Sequence, residues 1–358
     1  MKLSRYRIKY YASELISIVS LWIFSALLCV YIKFNDIPET AIKALYNFQP
    51  WMNKSRLYFL ALVISSLIGL LMGLTHTFLY PLIIKTRSIL LNLLLRFLVF
   101  LVLTISTLAL FYSLSGLPAL DFSAKNTKVT TSVVDVFIYL VLIELIIGLT
   151  ITLRRNLGNT YLSKLIRHAY FTPKDEYRVF MFTDLKNSTA LVEKMGSLCF
   201  SRFIQECFKD FSNVALDHGG EVYQFVGDEV VTTWRISRNF DYLNCISLHL
   251  ALCIRLLNKK QFYIDNYGTF PEFRTSLHSG NVSVALVGEY KTEIAYHGGA
   301  LNLCSRLQSV CRAHEADLVI SESFYQHIAG DLTLNYSPIA DIELKGIVKK
   351  QLVYQVFI

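Results

Sequence analysis

The chain has 358 residues, a formal charge of +8, 53% hydrophobic and 17% charged residues, and a mean hydropathy of +0.42, where an ordinary soluble domain carries about 25% charge. That balance excludes a wholly soluble protein, and 24 Phe with 21 Tyr exclude a disordered one, because so much apolar surface is buried when a chain can bury it. Much of the Lys and Arg flanks apolar runs, the pattern that orients a chain in a membrane, so the basicity calls for no nucleic acid partner.

Four apolar runs open the chain: Leu15 to Ile32, Leu57 to Ile84, Ile89 to about Leu120, and Val133 to Leu153. Each approaches or exceeds the about 20 residues that carry a helix across a bilayer. No small-residue cleavage site follows the first, so it is expected to be retained as a span. Lys2, Arg5, Arg7 and Lys9 precede the first run, Lys85 and Arg87 separate the second and third, and Arg154, Arg155, Lys164 and Arg167 follow the fourth. The loops near 34 to 56 and 113 to 132 mix signs. Four spans with both termini cytoplasmic satisfy the positive-inside rule.

Among the ionisable residues inside these runs are Arg96 and Glu144, each about 12 Å from the cytoplasmic end of its span at the rise of a helix. A charge pair there belongs inside the bundle; the plainer alternative has Arg96 snorkelling to the headgroups beside a protonated Glu144. His76 and Asn92 lie near the same surface, and Gly69 with Gly73 forms a small-xxx-small spacing suited to close helix packing.

Residues 154 to 176 are charged and amphipathic, with Leu157, Leu162, Leu165 and Ile166 as apolar contacts and Pro173 ending any helix. They form a connector between a membrane domain at 1 to 153 and a third region at 177 to 358. In that region the pattern predicts a strand at 178 to 184, a long helix at 188 to 217, and a strand pair at Val222 to Val226 and Val230 to Trp234. A helix at 241 to 259, strands at Phe273 to Val287 and Glu293 to Tyr296, a helix at 299 to 313 and a strand-rich close to Ile358 follow. The expected architecture is an α+β sandwich with helices on a mainly antiparallel sheet. Six of the seven cysteines lie in this region, with no CxxC pair and no zinc spacing, so reduced thiols are expected.

Chemistry concentrates in two acidic turns. In Phe182-Thr183-Asp184-Leu185-Lys186-Asn187-Ser188-Thr189 an apolar strand ends in an aspartate and runs into a helix start, with Ser188 available as cap. A carboxylate there can hold a hard cation while the helix N-terminus offers N–H groups to phosphate. In Tyr223-Gln224-Phe225-Val226-Gly227-Asp228-Glu229 a hairpin tip presents Asp228. Either turn alone reads as an ordinary turn or cap; on adjacent strands the two present a pair of carboxylates to one metal site.

With the later segments His297-Gly298-Gly299-Ala300-Leu301-Asn302-Leu303-Cys304-Ser305-Arg306-Leu307-Gln308 and Glu343-Leu344-Lys345-Gly346, in this order and spacing, the region from 177 to 358 resembles the class III adenylate/guanylate cyclase catalytic domain, of the membrane-anchored bacterial type. The resemblance implies an α+β (ferredoxin-like) nucleotidyl cyclase domain, which together with the four apolar runs gives the expected architecture: an N-terminal all-α four-span transmembrane bundle followed by that domain. It implies Asp184 and Asp228 as ligands of two Mg²⁺ or Mn²⁺ ions, with the Leu185 carbonyl as a further ligand. Asn302 then orients the ribose and Arg306 stabilises charge at the α-phosphate. Lys345 reaches the triphosphate, and Ser188 and Thr189 lie on the substrate side.

The metal aspartates and the Asn/Arg helix come from different protomers in this family, which implies a homodimer. The implied location is the bacterial inner membrane, multi-pass, with the catalytic domain cytoplasmic. The base-selecting positions carry Gln224 and Ala295, neither the Lys with Asp or Thr of adenine-specific relatives nor the Glu and Cys of guanine-specific ones. Gln224 can donate and accept, so it meets either purine edge. ATP is favoured over GTP by analogy with bacterial members. A guanylate cyclase on the same scaffold and a catalytically weak receptor with a nucleotide-binding cyclase-like domain are the alternatives. A transporter is disfavoured, because the spans show no inverted repeat and no broken-helix pattern beyond Pro81.

Overall fold

The computed structural model describes residues 4–36, 38, 40, 53–79, 97–106, 127–157, 164, 169–331, 334–342 and 351–357. The chain divides into two compact units, one of Ile8–Asn159 and one of Met1–Arg7 with Thr160–Ile358.

The first unit is helical: α1 (Arg5–Phe34), α2 (Lys54–Leu74), a π-helical turn at Thr75–Leu79, α3 (Phe97–Ser106) and α4 (Thr127–Leu157). Among the described residues two helices, Arg5–Phe34 and Lys54–Phe78, are long and apolar enough to cross a membrane. The fourth expected span falls within α4, whereas much of the third, together with Asn92 and Arg96, lies outside the described residues. Ile18, Trp22, Ile68, Met72, Phe100, Ile147 and Ile151 form the buried core of this unit. The small-residue spacing has a physical use here: a Cβ added at Gly69 would sit 3.0 Å from Trp22 Cβ and 3.1 Å from the Val19 Cα, tight enough that α1 would have to give by a few tenths of an ångström, so glycine favours this close approach of α2 to α1.

A mixed sheet organises the second unit, with strands β1 (Lys174–Leu185), β2 (Glu221–Val226), β3 (Glu229–Arg235), β4 (Phe273–Val287), β5 (Glu293–His297), β6 (Leu318–Ser321), β7 (Asn335–Ile342) and β8 (Gln351–Phe357). The strand order is β2-β3-β1-β4-β6-β8-β7, with β5 pairing on β4. Among the described strand pairs only β4–β6 is parallel. Because successive side chains point to opposite faces, β1 is apolar on both: Val179, Met181 and Leu185 pack in one cluster and Phe180 and Phe182 in another. Helices α6 (Ser197–Asp217), α7 (Leu243–Asn258) and α8 (Lys260–Tyr267) contribute to the first cluster, and α9 (Gly299–Ala313) contributes Ala300 and Cys304 to the second.

Three local readings change. The helix expected over 188 to 217 is two helices, α5 (Ser188–Met195) and α6, because Gly196 between them takes φ +78°, a left-handed value that a regular helix cannot continue through. The helix expected to end at 259 is followed at once by α8, whose mixed sequence Lys-Gln-Phe-Tyr-Ile-Asp-Asn-Tyr carries little helical periodicity. Ser188 is no cap: it is the first residue of α5, and the capping position belongs to Asn187, at φ +56° with no side-chain cap bond. All seven cysteines carry free thiols.

Candidate active site

Asp184 occupies the penultimate position of β1, where its Cα is paired with Glu229 on β3 and with Arg274 on β4. The β2–β3 hairpin places Gly227 and Asp228 between the paired residues Val226 and Glu229, and Gly227 takes φ +61°, as a two-residue turn requires. One register therefore brings Asp184, Asp228 and Glu229 to one end of the sheet.

Their electrostatics report this closeness. Burial pushes the Asp184 carboxyl above its ordinary value, and Asp228 raises it further through its charge and a shared hydrogen bond, while Arg312 works in the opposite direction. Glu229 is pushed up to about 7, first by burial and then by the charges of Asp184 and Asp228. Carboxyls whose neighbours' charges push them up in this way mark a site of concentrated negative potential, which a cation relieves. Among the described residues the guanidinium on them is that of Arg312, whose Nη2 donates to Asp184 Oδ2 at 2.6 Å.

The donor set suits a hard divalent ion: aspartate oxygens on a strand end and a hairpin tip, with no thiolate or imidazole among them. Among the described residues no three His, Cys, Asp or Glu side chains close around one point, so a bound ion would complete its shell from backbone carbonyl, water or ligand oxygens. Leu185 follows Asp184 directly with its side chain in the core, which leaves its backbone as its possible contribution to such a shell.

Asn302 and Arg306 lie on α9, Asn302 exposed and Arg306 half-buried. Four residues apart, they share a helix face, whereas the sheet-facing stripe is carried by Cys304, Gln308 and Arg312. Asn302 precedes Arg312 by ten positions on α9, about 15 Å at the rise of a helix. The Asn/Arg pair is thus turned away from the acids of its own chain.

Gln224 is exposed on β2, and Ala295 is half-buried on β5 opposite Ala285. The two strands are not sheet neighbours, yet Tyr223 and Tyr296 beside these positions meet edge to face with centroids 4.8 Å apart. Ser188 and Thr189 open α5 directly after the Asp184 strand, and Lys345 lies outside the described residues. Sequence reasoning missed Glu229 and Arg312. Glu229 was signalled only by its place beside Asp228, and Arg312 by its spacing of four from Gln308.

A sequence model described as "Adenylate and Guanylate cyclase catalytic domain" matches residues 171–358. Adenylate cyclase 2 of Rhizobium meliloti (strain 1021) is 28% identical over 193 residues, covering 54% of this chain and 53% of that protein. Adenylate cyclase 1 of the same organism is 26% identical over 148 residues, 39% of this chain and 22% of that protein. The chain thus spans about half the length of the first of these curated relatives and less of the second. Among solved structures, the adenylyl cyclase CyaB from P. aeruginosa is similar at TM-score 0.47 and 24% identity, over 52% of this chain and 96% of that one. The guanylate cyclase domain of RhGC from Catenaria anguillulae, in complex with GTP, is similar at TM-score 0.44 and 19% identity, over 51% of this chain and 98% of that one.

Proposed function

The chain belongs to the adenylate and guanylate cyclase catalytic-domain family through residues 171–358, and from that premise we propose that it is a membrane-bound adenylate cyclase that converts ATP to 3′,5′-cyclic AMP and pyrophosphate. The observation that carries the reading is the convergence of Asp184 and Asp228 at one sheet end, where burial and the charge of Asp228 push the Asp184 carboxyl above its ordinary value. In this reading the membrane domain is 1 to 153, the connector 154 to 176 and the catalytic domain 177 to 358. Four spans hold both termini and the catalytic domain on the cytoplasmic side of a bacterial inner membrane; two helices of sufficient length and apolarity support an anchor.

In the reaction the ribose 3′-oxygen forms a bond to the α-phosphorus, the bond from that phosphorus to the pyrophosphate oxygen breaks, and the 3′-hydroxyl proton leaves to water. Asp184 and Asp228, with the Leu185 carbonyl, would hold two Mg²⁺ or Mn²⁺ ions, which would supply acidification of the hydroxyl and neutralisation of the phosphate tail. Arg306 offers a guanidinium to charge that grows at the α-phosphate in the transition state. Asn302 holds the ribose, so that attacking and leaving oxygens stay in line. Lys345 reaches the triphosphate, Ser188 and Thr189 sit on its path at the start of α5, and Gln224 with Ala295 borders the base.

The orientation of Asn302 and Arg306 away from the acids of their own chain supports a site shared between two protomers, hence a homodimer with two sites. ATP is the substrate favoured by the two adenylate cyclases of Rhizobium meliloti among its relatives. The test is chromatographic detection of cyclic product from full-length protein in lipid nanodiscs, given ATP or GTP with Mg²⁺ or Mn²⁺. Cyclic AMP with equimolar pyrophosphate is the expected result. A preference for GTP would reassign the base, and no cyclic product from either nucleotide would leave a nucleotide-binding receptor.

A further inference from the structure

Three hydrogen bonds tie α9 to β1 in a regular ladder. Cys304 Sγ reaches Phe180 O at 3.3 Å, Gln308 Nε2 donates to Phe182 O at 2.5 Å, and Arg312 Nη2 donates to the Asp184 carboxylate at 2.6 Å. The helix advances four residues per rung, about 6 Å, and the strand two residues, about 6.6 Å, so the steps stay in phase along the contact. The first two rungs are buried and grip backbone carbonyls. The third leaves the core and grips a side chain that the proposed reaction needs.

Arg312 is therefore held over Asp184 by the packing of α9 and not by a chance surface encounter. Its side chain is 60% exposed against 8% for Asp184, so the guanidinium can swing into solvent at little cost while the carboxylate stays in place. A carboxylate oxygen that accepts from a guanidinium at this distance has its lone pair engaged and is a poorer ligand for a cation. The same positive charge lowers the negative potential of Asp184, Asp228 and Glu229 that attracts one.

We propose that Arg312 is a positioning residue that competes with the divalent cation for Asp184, so that the cation is taken up together with a nucleoside triphosphate and not ahead of it. The inference rests on the reading of Asp184 as a metal ligand. A triphosphate completes the exchange in two ways: its oxygens fill the coordination shell, and its charge receives the displaced guanidinium. By linkage, whatever the triphosphate adds to cation affinity, the cation adds to triphosphate affinity by the same factor.

The test is Mn²⁺ binding to full-length protein in nanodiscs, read from the electron paramagnetic resonance signal of free Mn²⁺, with and without 3′-deoxy-ATP, which lacks the attacking hydroxyl. Because the guanidinium of the ion pair is largely exposed, Arg312→Gln is expected to bind Mn²⁺ about 3- to 10-fold more tightly than the native chain without nucleotide. Arg312→Lys is expected to fall between, and the gain in Mn²⁺ affinity on adding 3′-deoxy-ATP is expected to shrink in Arg312→Gln. Thermal melts of the variants control for folding, and Arg312 lies exposed on the last turn of its helix. Unchanged or weaker Mn²⁺ binding in Arg312→Gln, with binding lost in Asp184→Asn, overturns the competition and leaves the metal site standing. Unchanged Mn²⁺ binding in Asp184→Asn overturns the metal site itself.

Discussion

Asp184 and Glu229 face each other as Cα partners across β1 and β3, which brings the Gly227-Asp228 tip of the neighbouring hairpin to the end of the strand that carries Asp184. Two stretches of chain more than forty positions apart thereby meet as one acidic site.

Replacing either aspartate by asparagine keeps the shape and removes the charge. For Asp184→Asn and for Asp228→Asn, turnover should fall at least about 100-fold, the scale of losing a group that holds a metal in place. The melting temperature should hold or rise, since the charges of Asp184 and Asp228 both push Glu229 upward and that of Asp228 pushes Asp184 upward, so removing one of them relieves repulsion in the cluster. Activity above a few per cent of native in either variant would remove that residue from the metal site.

Because Asn302 and Arg306 are turned away from the acids of their own chain, inactive Asp184→Ala and inactive Arg306→Ala chains should complement when mixed. A heterodimer then carries one intact site, so about a quarter of native activity is expected from a random mixture by counting of chain pairs. Heterodimers shown to form without recovered turnover would place the whole site within each chain.

Acid should loosen the second unit through two histidines. His249 bonds Thr275 and lies against Cys253, and His278 bonds Ser321 and Ser323. Burial pushes both imidazoles down to about 4, while in the unfolded chain they titrate near 6.5. Between those values the unfolded chain takes up protons that the folded one refuses, so stability falls as pH drops from about 6.5 to about 4, by up to about 3 kcal/mol per histidine. Hydrogen exchange of β1 and β4 amides, corrected for intrinsic pH effects, reads this loss. A slope unchanged in His249→Asn and in His278→Asn would assign it to other groups.

In the first unit Glu144 Oε1 meets His76 Nε2 at 2.9 Å, both buried, with His76 in the π-helical turn after α2. The sequence pairing of Glu144 with Arg96 concerned a residue outside the described set; the carboxylate is engaged by His76. Single His76→Leu and Glu144→Leu changes should each destabilise the protein in nanodiscs, and the double variant should recover at least about 0.5 kcal/mol of the summed loss. Strict additivity in thermal unfolding would show that the pair is not energetically coupled.

Much of this protein is decided within short windows of sequence. Period-two alternation and its apolar runs delimit β1, β2, β3, β4 and β5 to within a few residues, and the start and end of α9 follow from its 3.6-residue pattern between Gly298 and His314. The acids at strand end and hairpin tip are local features too, which is why Asp184 and Asp228 were legible. The break at Gly196 was not, because an apolar pattern runs through it and only the backbone angle ends the helix.

What the fold alone decided are relations between residues far apart in the chain. Arg312 and Asp184 are 128 positions apart and His76 and Glu144 are 68. Glu229 is pushed up to about 7 first by burial and then by the charges of Asp228 beside it and of Asp184, which the β1–β3 register supplies. A side chain's propensity is carried by its own neighbours in sequence, but its charge state and its partner depend on solvent exclusion and on distances of a few ångströms. Those are set only when helix and strand steps come into phase.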